Sequence, residues 1–141
     1  MSTRLSTSTL AAVGTPRARS TSLVRALSRH SERVNGSLAV GVATRCCRLM
    51  GPTRLDDDLA AAVADLDAGT PATYPRVRAA MSAFAVRAAA ALVAFEGSRG
   101  IERGTHAERL YREAAVLEIF ATRPAIRAAL LATWGAFPET G

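Results

Sequence analysis

Apolar residues along this chain recur at helical spacing and almost never at strand spacing. Between Val77 and Phe95 the large or small apolar residues Val77, Met81, Phe84, Ala88, Leu92 and Phe95 step by 4, 3, 4, 4 and 3, which places them on one face of a helix. No segment alternates apolar and polar residues for long, so strand signals are nearly absent. Apolar residues make up 49% of the chain and aromatics only 5%, with most of the apolar excess in alanine, a composition suited to closely packed helices. The 141 residues amount to one domain, long enough to bury roughly 65–70% of the surface of the unfolded chain.

Glycine and proline divide the chain into five helix-like pieces: Gly36, Gly51, the Gly69–Pro75 stretch, Gly97–Gly104 and Thr122–Pro124 are the breaks. The first piece, about Ser37–Met50, stops at Gly51-Pro52. Thr53 followed by Asp56 offers a second helix start, with that helix running to about Ala68. The third, about Pro75–Glu96, spans on the order of 33 Å. Thr105 with Glu108 has capping-box spacing and predicts a fourth helix that turns Leu110, Ala114, Leu117 and Ala121 inward, with His106 solvated in its first turn. A fifth follows Thr122, tolerates Pro124 in its first turn, points Ile126, Leu130 and Trp134 inward and ends at Gly135. Long helices joined by short turns predict an all-α fold, an antiparallel four-helix bundle over residues 35–135, with the first, shorter piece either flanking the bundle or serving as one of the four. Residues 1–34 are expected to be a disordered basic tail and 136–141 a short C-terminal tail.

All 18 basic residues are arginine. Residues 1–55 hold nine of them against the single acid Glu32, a net +8, and residues 56–141 hold nine against eleven acids, a net −2. The basicity thus belongs to the N-terminal part. That part has no aromatic residue to stack on bases, which argues against nucleic acid as the partner. Cys46 and Cys47 are adjacent and form no ordinary disulfide framework, so reduced thiols on a packed helix and a cytoplasmic setting are expected. His30 and His106 have no ligand spacing to them or to each other, and no metal site is expected. The stretch Ala79–Phe95 carries Arg87 near its middle and, at 17 residues, is short for a membrane span.

Three passages carry more than helical pattern. They are Gly97-Ser98-Arg99-Gly100-Ile101, then Glu108-Arg109-Leu110-Tyr111-Arg112-Glu113-Ala114, then Ile119-Phe120-Ala121-Thr122-Arg123-Pro124-Ala125-Ile126. Their order and spacing resemble the C-terminal helical domain of flavin-dependent acyl-CoA dehydrogenases, where a glycine turn G-G-x-G-aromatic is followed by E-R-L-x-R-D-A and I-Y-E-G-T-x-E-I. Upstream, Asn35 to Ala43 resembles the first helix of the same domain, so the similarity covers about residues 35–134. The resemblance implies FAD as cofactor and α,β-dehydrogenation of an acyl-CoA thioester as the reaction. It also implies either a homo-oligomer or a partner chain supplying the N-terminal and β-domains, because residues 1–34 leave no room for them.

Residue by residue, the resemblance keeps scaffold and loses chemistry. The family's catalytic glutamate aligns with Ala121, whose methyl group accepts no proton. The flavin-contacting glutamine aligns with Ala94, and the glycine and threonine beside the base become Thr122 and Arg123. No residue is assigned as catalytic; Glu118, one turn before Ala121, is the candidate for a displaced base. Gly97, Arg99 and Gly100, with Thr122 and Arg123, are the candidate cofactor contacts, since a glycine turn with arginine presents amides and a fork of donors to a phosphate. FAD is therefore expected only with a partner chain and none when the chain is alone. The alternative expectation is a non-catalytic helical scaffold that has lost flavin, and after it a basic regulator associated with nucleic acid.

Overall fold

The computed structural model describes residue 34, residues 36–120 and residues 123–136, and these are all helix and connecting turn. The expected disordered tail falls on residues outside this range, save for Val34. Five helices occupy it: α1 over residues 36–50, then α2 (Leu55–Asp67), α3 (Tyr74–Glu96), α4 (His106–Ile119) and α5 (Pro124–Thr133), with a 3-10 turn at Gly97–Ile101.

The helix ends follow local chemistry. α1 stops at Gly51, whose φ of +77° suits glycine and terminates the helix. α2 then starts on a short relay in which the Leu55 N–H donates to Thr53 Oγ1 at 3.1 Å and the Thr53 N–H donates to Asp56 Oδ2 at 2.7 Å. Asp56, Asp57 and Asp58 fill its first turn, where carboxylates interact favourably with the helix dipole. Before α3, the Thr70 N–H donates to Thr73 Oγ1 at 2.9 Å, and Pro75 sits in the first turn, where its missing N–H is harmless. Thr105 caps α4 by accepting from the Glu108 N–H at 3.3 Å. The expected box is only half built: Glu108 turns to Arg112 instead, and the Thr105 N–H is taken by the Glu102 carbonyl at 3.2 Å.

α3 is the axis of the domain. Its five consecutive residues Met81 to Ala85 are all buried, and at 100° per residue such a run covers the whole circumference of a helix. On one side Met81, Ala85, Ala88, Ala89 and Leu92 join a core with Ala39, Ala43 and Cys46 of α1 and Leu110, Ala114 and Leu117 of α4. On another side Ala79 and Ala83 form a second small core with Ile126 and Leu130 of α5. Asp58 of α2 reaches Arg87 at 2.6 Å, and Leu66, eight residues on, shares the core with Tyr74, so α2 runs back along α3. Gly36 allows α1 to start close against the same end: a Cβ there would stand 3.0 Å from Leu66 Cδ2 and 3.3 Å from the Tyr74 hydroxyl.

Two expected core residues lie at the surface. Phe95 is 65% exposed, because it sits two turns beyond Arg87 while α2 extends only three residues past Asp58 on that side. Trp134 is 50% exposed, because α5 ends at Thr133 and leaves the indole at its rim. Ala121 lies outside the described residues. The helical rod Tyr74–Ile101 is, by length and composition, long and apolar enough to cross a membrane, more than the 17-residue apolar stretch implied, because helix continues on both sides of it. Over half of its most apolar 18-residue window is buried against the rest of the chain.

Two polar features sit inside the core. Arg78 is 1% exposed and donates to the buried Ser82 hydroxyl one turn later; burial pulls its guanidinium below the ordinary arginine value, with Tyr74 acting in the opposite sense. Cys46 is fully buried, and desolvation, then Cys47, then Glu113 push its thiol from 9.0 up to about 11. Burial, followed by Asp56, raises Cys47 as well.

Gly100 and Cys46 each generate a test. A Cβ on Gly100 would meet the Val93 carbonyl oxygen at 2.5 Å and Val93 Cα at 2.9 Å, both backbone atoms that cannot swing aside. Gly100→Ala is expected to lower stability by roughly 2–4 kcal/mol in urea denaturation. For Cys46, the unfolded chain releases the thiol proton from about pH 9, whereas the native chain holds it to about 11. The stabilisation by the neutral thiol is therefore complete below pH 9 and lost as pH rises through 11. Wild type should lose on the order of 2–3 kcal/mol more than Cys46→Ala between those limits, measured by denaturation at stepped pH.

Candidate functional site

The candidate cofactor contacts separate into two groups at opposite ends of α4. Gly97, Arg99 and Gly100 lie in the turn before it, while Glu118 lies in its last turn and Arg123 just after it. A 14-residue helix keeps those ends about 21 Å apart. Thr122 and Ala121 fall outside the described residues.

At the first end, the 3-10 turn packs against α3 rather than opening around a ligand. Gly97 ends α3 with φ +65° and has open space around it, whereas Gly100 is buried with its backbone on Val93. The exposed Arg99 borders a shallow depression of about 400 Å³ with Glu96, Gly104, Thr105 and His106. His106 is exposed in the first turn of α4, as its capping position implied, and its Nδ1 lies 3.5 Å from Arg109 Nη2. The depression thus combines one arginine with one glutamate and a capped helix start. The E-R-L-Y-R-E-A segment forms a pattern of exposed ion pairs: Arg112 bridges Glu108 at 2.5 Å and Arg109 reaches Glu113 at 3.5 Å, both one turn apart.

At the second end, Glu118 has a structural partner. Its Oε1 accepts a hydrogen bond from Trp134 Nε1 at 3.0 Å, fastening the end of α5 to the end of α4. Arg123 caps α5 with an extended backbone and its side chain exposed. No group of three or more His, Cys, Asp or Glu is arranged to hold a metal among the described residues.

Two surfaces were not visible in the sequence. One is a groove of about 560 Å³ between α1 and α4, bordered by Leu38, Val42, Val116 and Leu117 with Arg109, Arg112 and Glu113. The other is a larger cleft of about 800 Å³ bounded by α2, α3 and the end of α5. Both arise from how separate helices meet, so no local motif announces them. Comparison of the chain with family models, with curated proteins and with solved structures finds no match.

If Glu118 serves to dock Trp134, Glu118→Gln, which keeps an accepting oxygen, should leave stability nearly unchanged. Glu118→Ala and Trp134→Phe should each cost about 0.5–1 kcal/mol, and the double change should cost less than the two added together. Thermal and urea denaturation of the four variants and wild type check this.

Proposed function

We propose that this chain is an association module of the acyl-CoA dehydrogenase C-terminal type, supplying helical architecture to an assembly whose flavin and base come from another chain. In this reading α1 to α4 alternate in direction as an antiparallel four-helix bundle, with α5 on the outer side of α3. The order and spacing of the glycine turn and the E-R-L-Y-R-E-A helix support the kinship, and the all-helical fold agrees with it.

The observation that carries the associative role is an apolar edge. Leu38 on α1 and Val116 on α4 border the same groove and are 50% and 44% exposed. Val34 stands one turn before Leu38, and Ile119 and Phe120 stand one turn after Val116. The start of α1 adjoins the end of α4, so these five exposed residues gather at one end of the domain. Apolar surface gathered in this way marks an interaction site.

A second reading, a scaffold that has lost flavin altogether, draws on Glu118 being held by Trp134 and on alanine at the position of the family's base. The two readings part on colour. With a co-expressed chain carrying the N-terminal and β-domains of an acyl-CoA dehydrogenase, the module should form a yellow, flavin-loaded complex; a colourless complex selects the scaffold. Light scattering of the purified chain should show an oligomer that dissociates on Ile119→Glu with Phe120→Glu. A monomer at every concentration that also fails to join the co-expressed chain overturns both readings.

A further inference from the structure

The cleft bounded by α2, α3 and the end of α5 lies on the side of α3 opposite Met81 and Leu92, away from the α1–α4 edge. Its floor is built on α3, where the exposed Ala80 and Ala90 stand on either side of Ala83, Phe84 and Arg87, and Tyr111 of α4 also lines it. The alanines let another helix approach closely, and the rise from Ala80 to Ala90 gives about 15 Å of length, or nearly three turns. One wall is α2, whose Asp58 and Asp65 face the cleft. α2 carries five aspartates and no basic residue. Asp58 is engaged by Arg87, and among the described residues Asp65 takes part in no ion pair. Trp134 stands at the rim.

We propose that this cleft receives an amphipathic helix of a partner protein, with its apolar face on the alanine floor and a basic flank along α2. Charge complementarity selects that occupant: Arg87 is already engaged by Asp58, so an acidic flank would lie against Asp65 with nothing to compensate it, while an arginine or lysine flank along α2 would pair with it. The dimensions fit about ten residues of helix.

Trp134 is the single tryptophan of the chain, so its fluorescence reports on the cleft without a label. The probe is a synthetic helical peptide with leucines at i, i+3, i+4 and i+7 and arginines on one flank, titrated into the full chain. Its counterpart carries glutamate in place of arginine. The arginine peptide should give a saturable change in Trp134 emission that weakens as salt rises, and the glutamate peptide should bind about tenfold more weakly or not at all. Asp65→Lys should remove that preference, and Ala90→Gln, an exposed change that obstructs the floor, should weaken both peptides, with circular dichroism showing each variant folded. Equal responses to the two peptides, no saturable response, or responses unchanged in both variants would overturn the proposal. So would emission that shifts with protein concentration alone, which would give the cleft to a second copy.

Discussion

The enclosure of α3 is the constraint on which the rest of the domain depends. A helix buried around its whole circumference over Met81–Ala85 must be approached there from several directions at once, and small side chains permit that without pushing the neighbours apart. Ala79 and Ala83 serve α5, while Ala85, Ala88 and Ala89 serve the core shared with α1 and α4. Gly36 and Gly100 extend the same principle to the ends, where α1 and the 3-10 turn come within contact distance of Leu66 and Val93. Alanine abundance and scarce aromatics are therefore not incidental to the composition; they are what a central helix packed at once by α1, α4 and α5 requires.

Much of this was legible in the residues. The breaks at Gly51, Gly97 and Gly135 fall at helix ends, each with φ near +70°, because glycine alone takes that conformation cheaply. Thr53, Asp56 and Thr105 mark helix starts through hydrogen bonds that span at most three residues, so the information is local. Where the pattern misled, the cause was length of neighbours. Phe95 continues the stripe of α3, but periodicity specifies a face and says nothing of where a partner helix begins. Trp134 likewise follows the apolar spacing of α5 past its last turn, and its hydrogen bond to Glu118 could be found only once α4 and α5 were side by side.

The candidate site was legible in a different and lesser sense. Motif resemblance singles out Gly97, Arg99, Gly100 and Glu118, and two of them have structural employment in the fold: Gly100 in backbone packing, Glu118 in holding Trp134. Resemblance transmits position along the chain, and position alone does not distinguish a glycine that admits a ligand from one that admits another turn of backbone. The α1–α4 groove and the α2–α3–α5 cleft draw on residues as far apart as Leu38 and Leu117 or Asp58 and Trp134, and nothing short-range in the chain encodes them.

The second, smaller core has a bearing on the lifetime of the protein. α5 is joined to α3 through Ile126, Leu130 and the adjacent Ala129, and to α4 through the Trp134–Glu118 hydrogen bond, a smaller hold than the main core provides, so its detachment costs less than opening that core. What such an opening uncovers is α3, the longest apolar segment the chain possesses. Chaperones and proteases survey cells for apolar helices of this sort, and damage at the end of α5 would thus be converted directly into a signal for removal. A small seam of the fold thus lies over its most apolar helix among the described residues, which ties retention of the chain to the integrity of the ten residues of α5.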